Sequence, residues 1–321
     1  MKEQSNKPEK IATRAAYGGA LLEIGALNKE IIVLDADLSK STTTKKFADK
    51  FPDRFFNMGI AEANMMGTAA GLASCGKTVF TSTFAIFAAG RAWEQIRNTI
   101  CYCNLNVNIA ATHAGLGVGP DGASHQMNED IAIMSSIPNM VVIEPCDGPE
   151  TKKAVFEAVK LNGPVYLRLG RATVPVLTND GHVFKIGKGI TFRSGDDVTI
   201  VACGMLVEKA LDAAEELSKE GIEATVINMH TIKPLDRELI LDSAKKTGAV
   251  VTAEQHVLNG GLGSAVASAL AQESPVPIEM IGIDNRFGQS GEPDILFKEY
   301  NLTTECIVAA AKKAHQRKSS S

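Results

Sequence analysis

The sequence predicts an α/β protein of two domains, and three observations carry that expectation. Apolar runs of strand length alternate with longer stretches of helical periodicity, the signature of parallel βαβ organisation. The alternation breaks at TNDGHVFKIGKG (178–189), where turn formers and a short basic segment interrupt the rhythm. It then restarts, and 321 residues are long for one domain and comfortable for two. The expected layout is a first domain over 8–178, a linker over 179–195 and a second, smaller domain over 196–316.

In the first domain IIVLDA (31–36), KTVFTS (77–82), NVNIAAT (106–112), MVVIEP (140–145) and PVYLRL (164–169) read as strands. The helical stretches between them are TRAAYGGALLEIGAL, AEANMMGTAAGLASC, an Ala-rich run around Trp93 to Ile100, and ETKKAVFEAVKLN. The second half repeats the pattern with DVTIVACG, ATVINMH, GAVVTAEQ and VPIEMIGI, separated by helices such as MLVEKALDAAEELSKEG. That helix places Leu206, Ala210, Leu211 and Ala214 among charged residues, as an amphipathic cover over a sheet does. No fixed-period repeat or low-complexity tract occurs, and short frayed ends are expected at 1–8 and in QRKSSS.

Composition excludes several functions. A hydrophobic content of 45%, a charged fraction of 22% and a net charge of −4 give no general attraction for nucleic acid or an anionic membrane. Any bound anion must therefore meet a local basic site. The six cysteines form no CxxC pair, which favours reduced thiols and a cytoplasmic location. MKEQSNKPEK is too polar for a signal peptide, and no apolar run approaches the roughly 18 residues of a membrane span.

Two glycine-rich turns need weighing. NGGLGSA (259–265) follows a strand and opens a helix, but it lacks GxGxxG spacing and a ribose-binding acid, so a closely packed helix N-terminus is the better reading. GLGVGPDG (115–122) is better explained by what it displays: Asp121, His125 and, at its entrance, His113. A loop leaving the C-terminal end of a strand in an open α/β sheet lies where ligands usually bind. Such a set can bind a metal, perform acid–base chemistry or satisfy turn hydrogen bonds. The spacing of 12 between the histidines fits no common zinc pattern, and no metal ligand is assigned.

GIAEAN (59–64) poses a sharper question, because it sets Glu62 before the small-residue run MMGTAAGLA. An acid there can simply complement a helix N-terminus, worth a few tenths to about 1 kcal/mol. A carboxyl in an apolar, small-residue setting also loses solvation of its charged form, which suits it to sharing a proton.

FFNMGIAEANMMGTAAGLA, STFAIF, THAGLGVGPDGASHQ, SIPNMVVIEPCD and NRFGQSGEPD together resemble the C-terminal half of transketolase, over about residues 11 to 313. The resemblance implies a pyrimidine-binding domain of the thiamine-diphosphate-binding fold, with helices on both faces of a parallel sheet, followed by a smaller α/β transketolase C-terminal domain. In the family a diphosphate-binding domain comes first, marked by GDG and a later Asn that holds Mg²⁺. This sequence has PDGA, NDGH, CDGP and SGDD but no GDG with such a follower. The resemblance therefore implies a split transketolase of the pentose phosphate pathway. A separate N-terminal subunit would mainly hold the diphosphate and its Mg²⁺ (or Ca²⁺ or Mn²⁺), in a two-plus-two heterotetramer.

Residue by residue, the resemblance implies that Glu62 hydrogen-bonds the aminopyrimidine ring nitrogen of thiamine diphosphate and that Phe84 and Phe87 stack on that ring. A third aromatic expected three residues on is replaced by Gly90. Asp37 resembles an acid near the thiazolium and the donor sugar, and Asp121 and His125 resemble residues that bind sugar hydroxyls and move protons. Arg14, Ser41, His113 and Arg168 resemble contacts to the sugar's phosphate, with Arg171 an extra cation of no assigned role. The implied activity is transfer of a two-carbon ketol unit from a ketose phosphate to an aldose phosphate. Alternatives are deoxyxylulose-phosphate synthase chemistry, a 2-oxoacid dehydrogenase beta subunit, and a noncatalytic assembly module.

Overall fold

The computed structural model describes residues 9–318. The first domain runs β1 (Lys10–Ala12), α1 (Thr13–Leu27), β2 (Ile31–Asp35), α2 (Ser39–Thr42), α3 (Lys45–Lys50), β3 (Phe55–Asn57), α4 (Glu62–Ser74), β4 (Thr78–Phe84), α5 (Ala85–Arg91), β5 (Val107–Thr112), α6 (Asp130–Ser135), β6 (Val141–Ile143), α7 (Gly148–Lys160), β7 (Val165–Arg168) and β8 (Thr173–Pro175). The second runs β9 (Ile190–Arg193), β10 (Val198–Ala202), α8 (Leu206–Lys219), β11 (Ala224–Asn228), β12 (Thr231–Lys233), α9 (Arg237–Thr247), β13 (Val250–Val257), α10 (Leu262–Glu273), β14 (Ile278–Ile283), α11 (Pro293–Glu299) and α12 (Thr304–Lys318). A π-helical turn at Gln95–Cys101 follows α5, and a 3-10 segment at Leu116–Asp121 follows β5.

The larger sheet has the order β12-β6-β7-β5-β4-β2-β3. It is parallel throughout except for β12, which crosses from the second domain and pairs antiparallel with β6. The second sheet has the order β14-β13-β10-β11-β9 and is parallel apart from β9. Helices cover both faces of the larger sheet, so its central strands are buried throughout: all six residues of β5 and all seven of β4, polar Asn108 and the β4 threonines included. On one face Tyr17 and Leu21 of α1 and Ala154 and Ala158 of α7 pack on Phe80, Ile143 and Val165. On the other, Met65, Met66, Ala88 and Ile96 pack on Leu34, Val79 and Ile109, and this cluster continues into Val201, Ile227 and Leu262 of the second domain. The two domains thus share apolar core as well as a strand.

Three local expectations change. The segment 179–195 is not all linker, because β9 within it pairs antiparallel with β11 and already belongs to the second sheet. The helical run around Trp93 to Ile100 is broken, with α5 ending at Arg91 before the π-helical turn. Residues 316–318 of the expected frayed end complete α12, while 1–8 and 319–321 lie outside the described residues. Among the described residues no helix is long and apolar enough to cross a membrane.

Candidate active site

The sequence-expected site residues lie along the C-terminal ends of the parallel strands and the start of α1, the edge where open α/β sheets bind ligands, although Arg168 at the end of β7 turns its side chain into the core. Asp37 and Ser41 follow β2, Glu62 follows β3, Phe84 closes β4 with Phe87 just beyond, and His113, Asp121 and His125 follow β5. Arg14 lies in the first turn of α1.

Glu62 is the first residue of α4, and its burial follows from helical phase. The buried residues of that helix are Glu62, Met65, Met66, Ala69 and Ala70, a single stripe at i, i+3, i+4, i+7 and i+8. Its carboxylate is therefore carried on the stripe that packs onto the sheet, with a side-chain exposure of only 5%. Burying Met65 and Met66 contributes about 1.5–3 kcal/mol each and anchors the turn that presents it. One side-chain donor reaches Glu62 among the described residues: Arg91 Nη1, 3.0 Å from Oε1.

A continuous aromatic surface begins beside that pair. The Arg91 guanidinium lies 4.1 Å from the centroid of Phe87, and the Phe87 and Phe84 rings are stacked at 5.8 Å with planes 11° apart. Phe84 in turn stacks on His113 at 3.8 Å, and His125 meets Phe87 edge-on at 5.6 Å. His113 is buried and is held with a positive φ of 57°, an uncommon conformation for a side chain of this size. Its Nδ1 lies 3.0 Å from Thr112 Oγ1. No heavy atom comes within 4 Å of where a Cβ on Gly90 would stand, so the missing aromatic leaves open space.

A basic cluster adjoins His113. Arg14 donates through Nη1 to the Ser41 carbonyl at 2.6 Å, whereas its buried Nε has no partner. Arg171 donates to the Val118 carbonyl. Neither arginine forms a salt bridge among the described residues, yet burial and then the Arg171 charge push the Arg14 pKa down. His113 is pushed down to about 3 by burial, then by Arg14, Arg171 and His125, so its imidazole is neutral. Two guanidinium groups close enough to interact, one with a spare buried N–H, have the chemistry that suits an anion.

The loop carrying Asp37 and Ser41 is organised by Asp35, a residue the sequence reading passed over. Asp35 is fully buried and accepts from Leu38 N at 2.7 Å, Thr42 Oγ1 at 2.7 Å and Thr44 Oγ1 at 2.9 Å. Burial raises its pKa, and those hydrogen bonds oppose the rise. Asn57 ties this loop to the approach of Glu62: it donates to Asp37 Oδ1 at 2.9 Å and accepts from Asp37 N and Gly59 N. Asn57 and Asp35 lie within stretches the sequence singles out, but neither they nor Arg91 received a role there, because each acts through neighbours brought together only by folding.

Arg168 stands apart from the cluster, and the expected phosphate contact there is corrected. Its side chain is 1% exposed, with Nε on Asp130 at 2.9 Å, Nη1 on Glu144 at 2.6 Å and Nη2 on the Met127 and Gln255 carbonyls. Burial opposes its charge, but Asp130 and Glu144 more than offset that and raise its pKa well above the ordinary value. Every side-chain nitrogen of Arg168 is engaged in the core, whereas the Arg171 charge acts on Arg14. The NGGLGSA turn is likewise committed: Glu254 caps α10 by accepting from Leu262 N and Gly263 N at 2.7 and 2.8 Å. Among the described residues no group of three or more His, Cys, Asp or Glu side chains is placed to hold a metal ion.

Comparison with known proteins gives a consistent assignment. The profile described as "Transketolase, pyrimidine binding domain" matches residues 9–176, and "Transketolase, C-terminal domain" matches 187–307. The solved structure titled "Split gene transketolase, inactive beta4 tetramer" is 54% identical with a TM-score of 0.90, covering 96% of this chain and 99% of that one. The 6-deoxy-6-sulfo-D-fructose transketolase subunit SqwH of Clostridium sp. (strain MSTE9) is 42% identical over 95% of each chain. Transketolase of Homo sapiens is 40% identical over 95% of this chain but only 49% of its own length.

Proposed function

This chain belongs to the transketolase family, and from that premise we propose that it is the C-terminal subunit of a two-chain enzyme that moves a two-carbon ketol unit from a ketose phosphate to an aldose phosphate. The observation that carries the reading is one arrangement: a buried carboxylate beside an aromatic stack, with an uncompensated pair of guanidinium groups at the stack's far side. The carboxylate and stack suit an aminopyrimidine, and the guanidinium pair suits the anionic end of a sugar.

Thiamine diphosphate, when bound, supplies the electron sink for breaking and making the carbon–carbon bond. The residues of this chain do the rest. Glu62 holds a proton at the pyrimidine ring nitrogen, and the faces of Phe87 and Phe84 fix the plane of that ring. Arg14, Arg171 and the Ser41 loop bind the terminal phosphate and so set how deep the sugar sits. His113 stays neutral there and is a hydrogen-bonding group rather than a third cation. His125 and Asp121, nearer solvent, would bind hydroxyls and relay protons at the reacting end, a role that the edge-on contact of His125 with Phe87 supports. The diphosphate and Mg²⁺ would fall to an N-terminal transketolase subunit, a reading supported by the likeness along nearly the whole chain to a split-gene transketolase and to a transketolase subunit.

The test is reconstitution. The chain is mixed with that subunit, thiamine diphosphate and Mg²⁺, and transfer between pentose phosphates is followed, with a sulfonated ketose as a second donor because the same guanidinium pair accepts either end group. Turnover is expected only in the complete mixture, and Glu62→Ala is expected to lower it about 10²–10⁴-fold. A folded, cofactor-loaded complex that transfers nothing from either donor contradicts the reading.

A further inference from the structure

We propose that Arg91 is a stand-in for the cofactor's aminopyrimidine: its guanidinium occupies the place between Phe87 and Glu62 until the ring arrives, and loading displaces it. This deepens the function proposed above and rests on it.

The geometry supplies each part. Arg91 ends α5 one helical turn beyond Phe87, so its side chain folds back over that ring, 4.1 Å from the centroid. From there Nη1 donates to Glu62 Oε1 at 3.0 Å. A guanidinium is planar, stacks on aromatic faces and presents N–H donors along its edge. An aminopyrimidine is also planar, and it too stacks by its face and donates from its edge. The same face of Phe87 and the same carboxylate oxygen cannot serve both groups at once.

The pair is also asymmetric in a way that decides which partner moves. The Arg91 side chain is 52% exposed and that of Glu62 is 5% exposed, so the guanidinium can leave for solvent while the carboxylate stays on its helix stripe. Leaving Glu62 buried with no donor would be costly, and Arg91 meets that need while the chain waits for its partner. The contact is weak enough to yield, because one member is half in water.

Binding of thiamine diphosphate with Mg²⁺ to the assembled two-chain complex tests this by calorimetry, comparing the natural chain with Arg91→Leu, which keeps an apolar, helix-favouring side chain but no donor. The variant complex is expected to bind thiamine diphosphate about two- to five-fold more tightly, the range set by a partly exposed ion pair. Its cofactor association rate, followed by stopped-flow fluorescence, is expected to rise as well. Unchanged or weaker binding by a folded Arg91→Leu complex overturns the stand-in role and leaves the proposed function untouched. Failure of the natural complex to bind thiamine diphosphate overturns that function and the inference together.

Discussion

Arg168 and Arg171 stand three positions apart at the end of β7, and packing sends them to opposite environments. Strand geometry turns Arg168 into the core, where Asp130 and Glu144 are paired with it, while Arg171 lies beyond the strand next to Arg14. Arg168→Ala is expected to cost about 3–5 kcal/mol of stability, because it leaves buried carboxylates unpaired, and urea denaturation reads that loss. Arg171→Ala is expected to leave the melting temperature nearly unchanged and to raise KM for sugar phosphates about 10- to 100-fold, the worth of a charged hydrogen bond. A stable Arg168→Ala enzyme with a raised KM would return the phosphate to Arg168. Within YLRLGR the sequence pointed to Arg168 and left Arg171 without a role, since side-chain direction depends on the packing of β7 and not on motif spacing.

At the scale of elements, the segment 36–44 is held from two sides. Asp35 grips it from beneath through Leu38, Thr42 and Thr44, and Thr43 Oγ1 bonds the Arg14 carbonyl from above. A Cβ on Gly18 of α1 would come within 2.3 Å of Thr43 Oγ1, so only glycine lets that helix lie so close. Asp35→Ala orphans three donors, each costing about 1–3 kcal/mol if it stays buried. Hydrogen exchange is expected to accelerate selectively over residues 36–44, with KM for the sugar raised. Unchanged protection there would remove Asp35 from any positioning role. The period of α4 and the apolar run of β5 made those elements legible from sequence. The three-residue strands β1, β3, β8 and β12 were not, because each is fixed by a distant partner rather than by its own pattern.

Across the whole molecule, the two domains behave as one support for the candidate site. They share an apolar cluster, exchange strand β12, and are tied by Arg168, which joins Asp130 and Glu144 of one domain to the Gln255 carbonyl of the other. That rigidity presents Glu62, the aromatic stack and the guanidinium pair along one sheet edge. The central claim is that this edge grips thiamine diphosphate by its pyrimidine end alone. The direct measurement is calorimetric titration of thiamine diphosphate with Mg²⁺ into the chain by itself and into its equimolar mixture with the N-terminal subunit. Saturable binding in the mixture and none in the chain alone is the predicted result; equally tight binding by the isolated chain would contradict it.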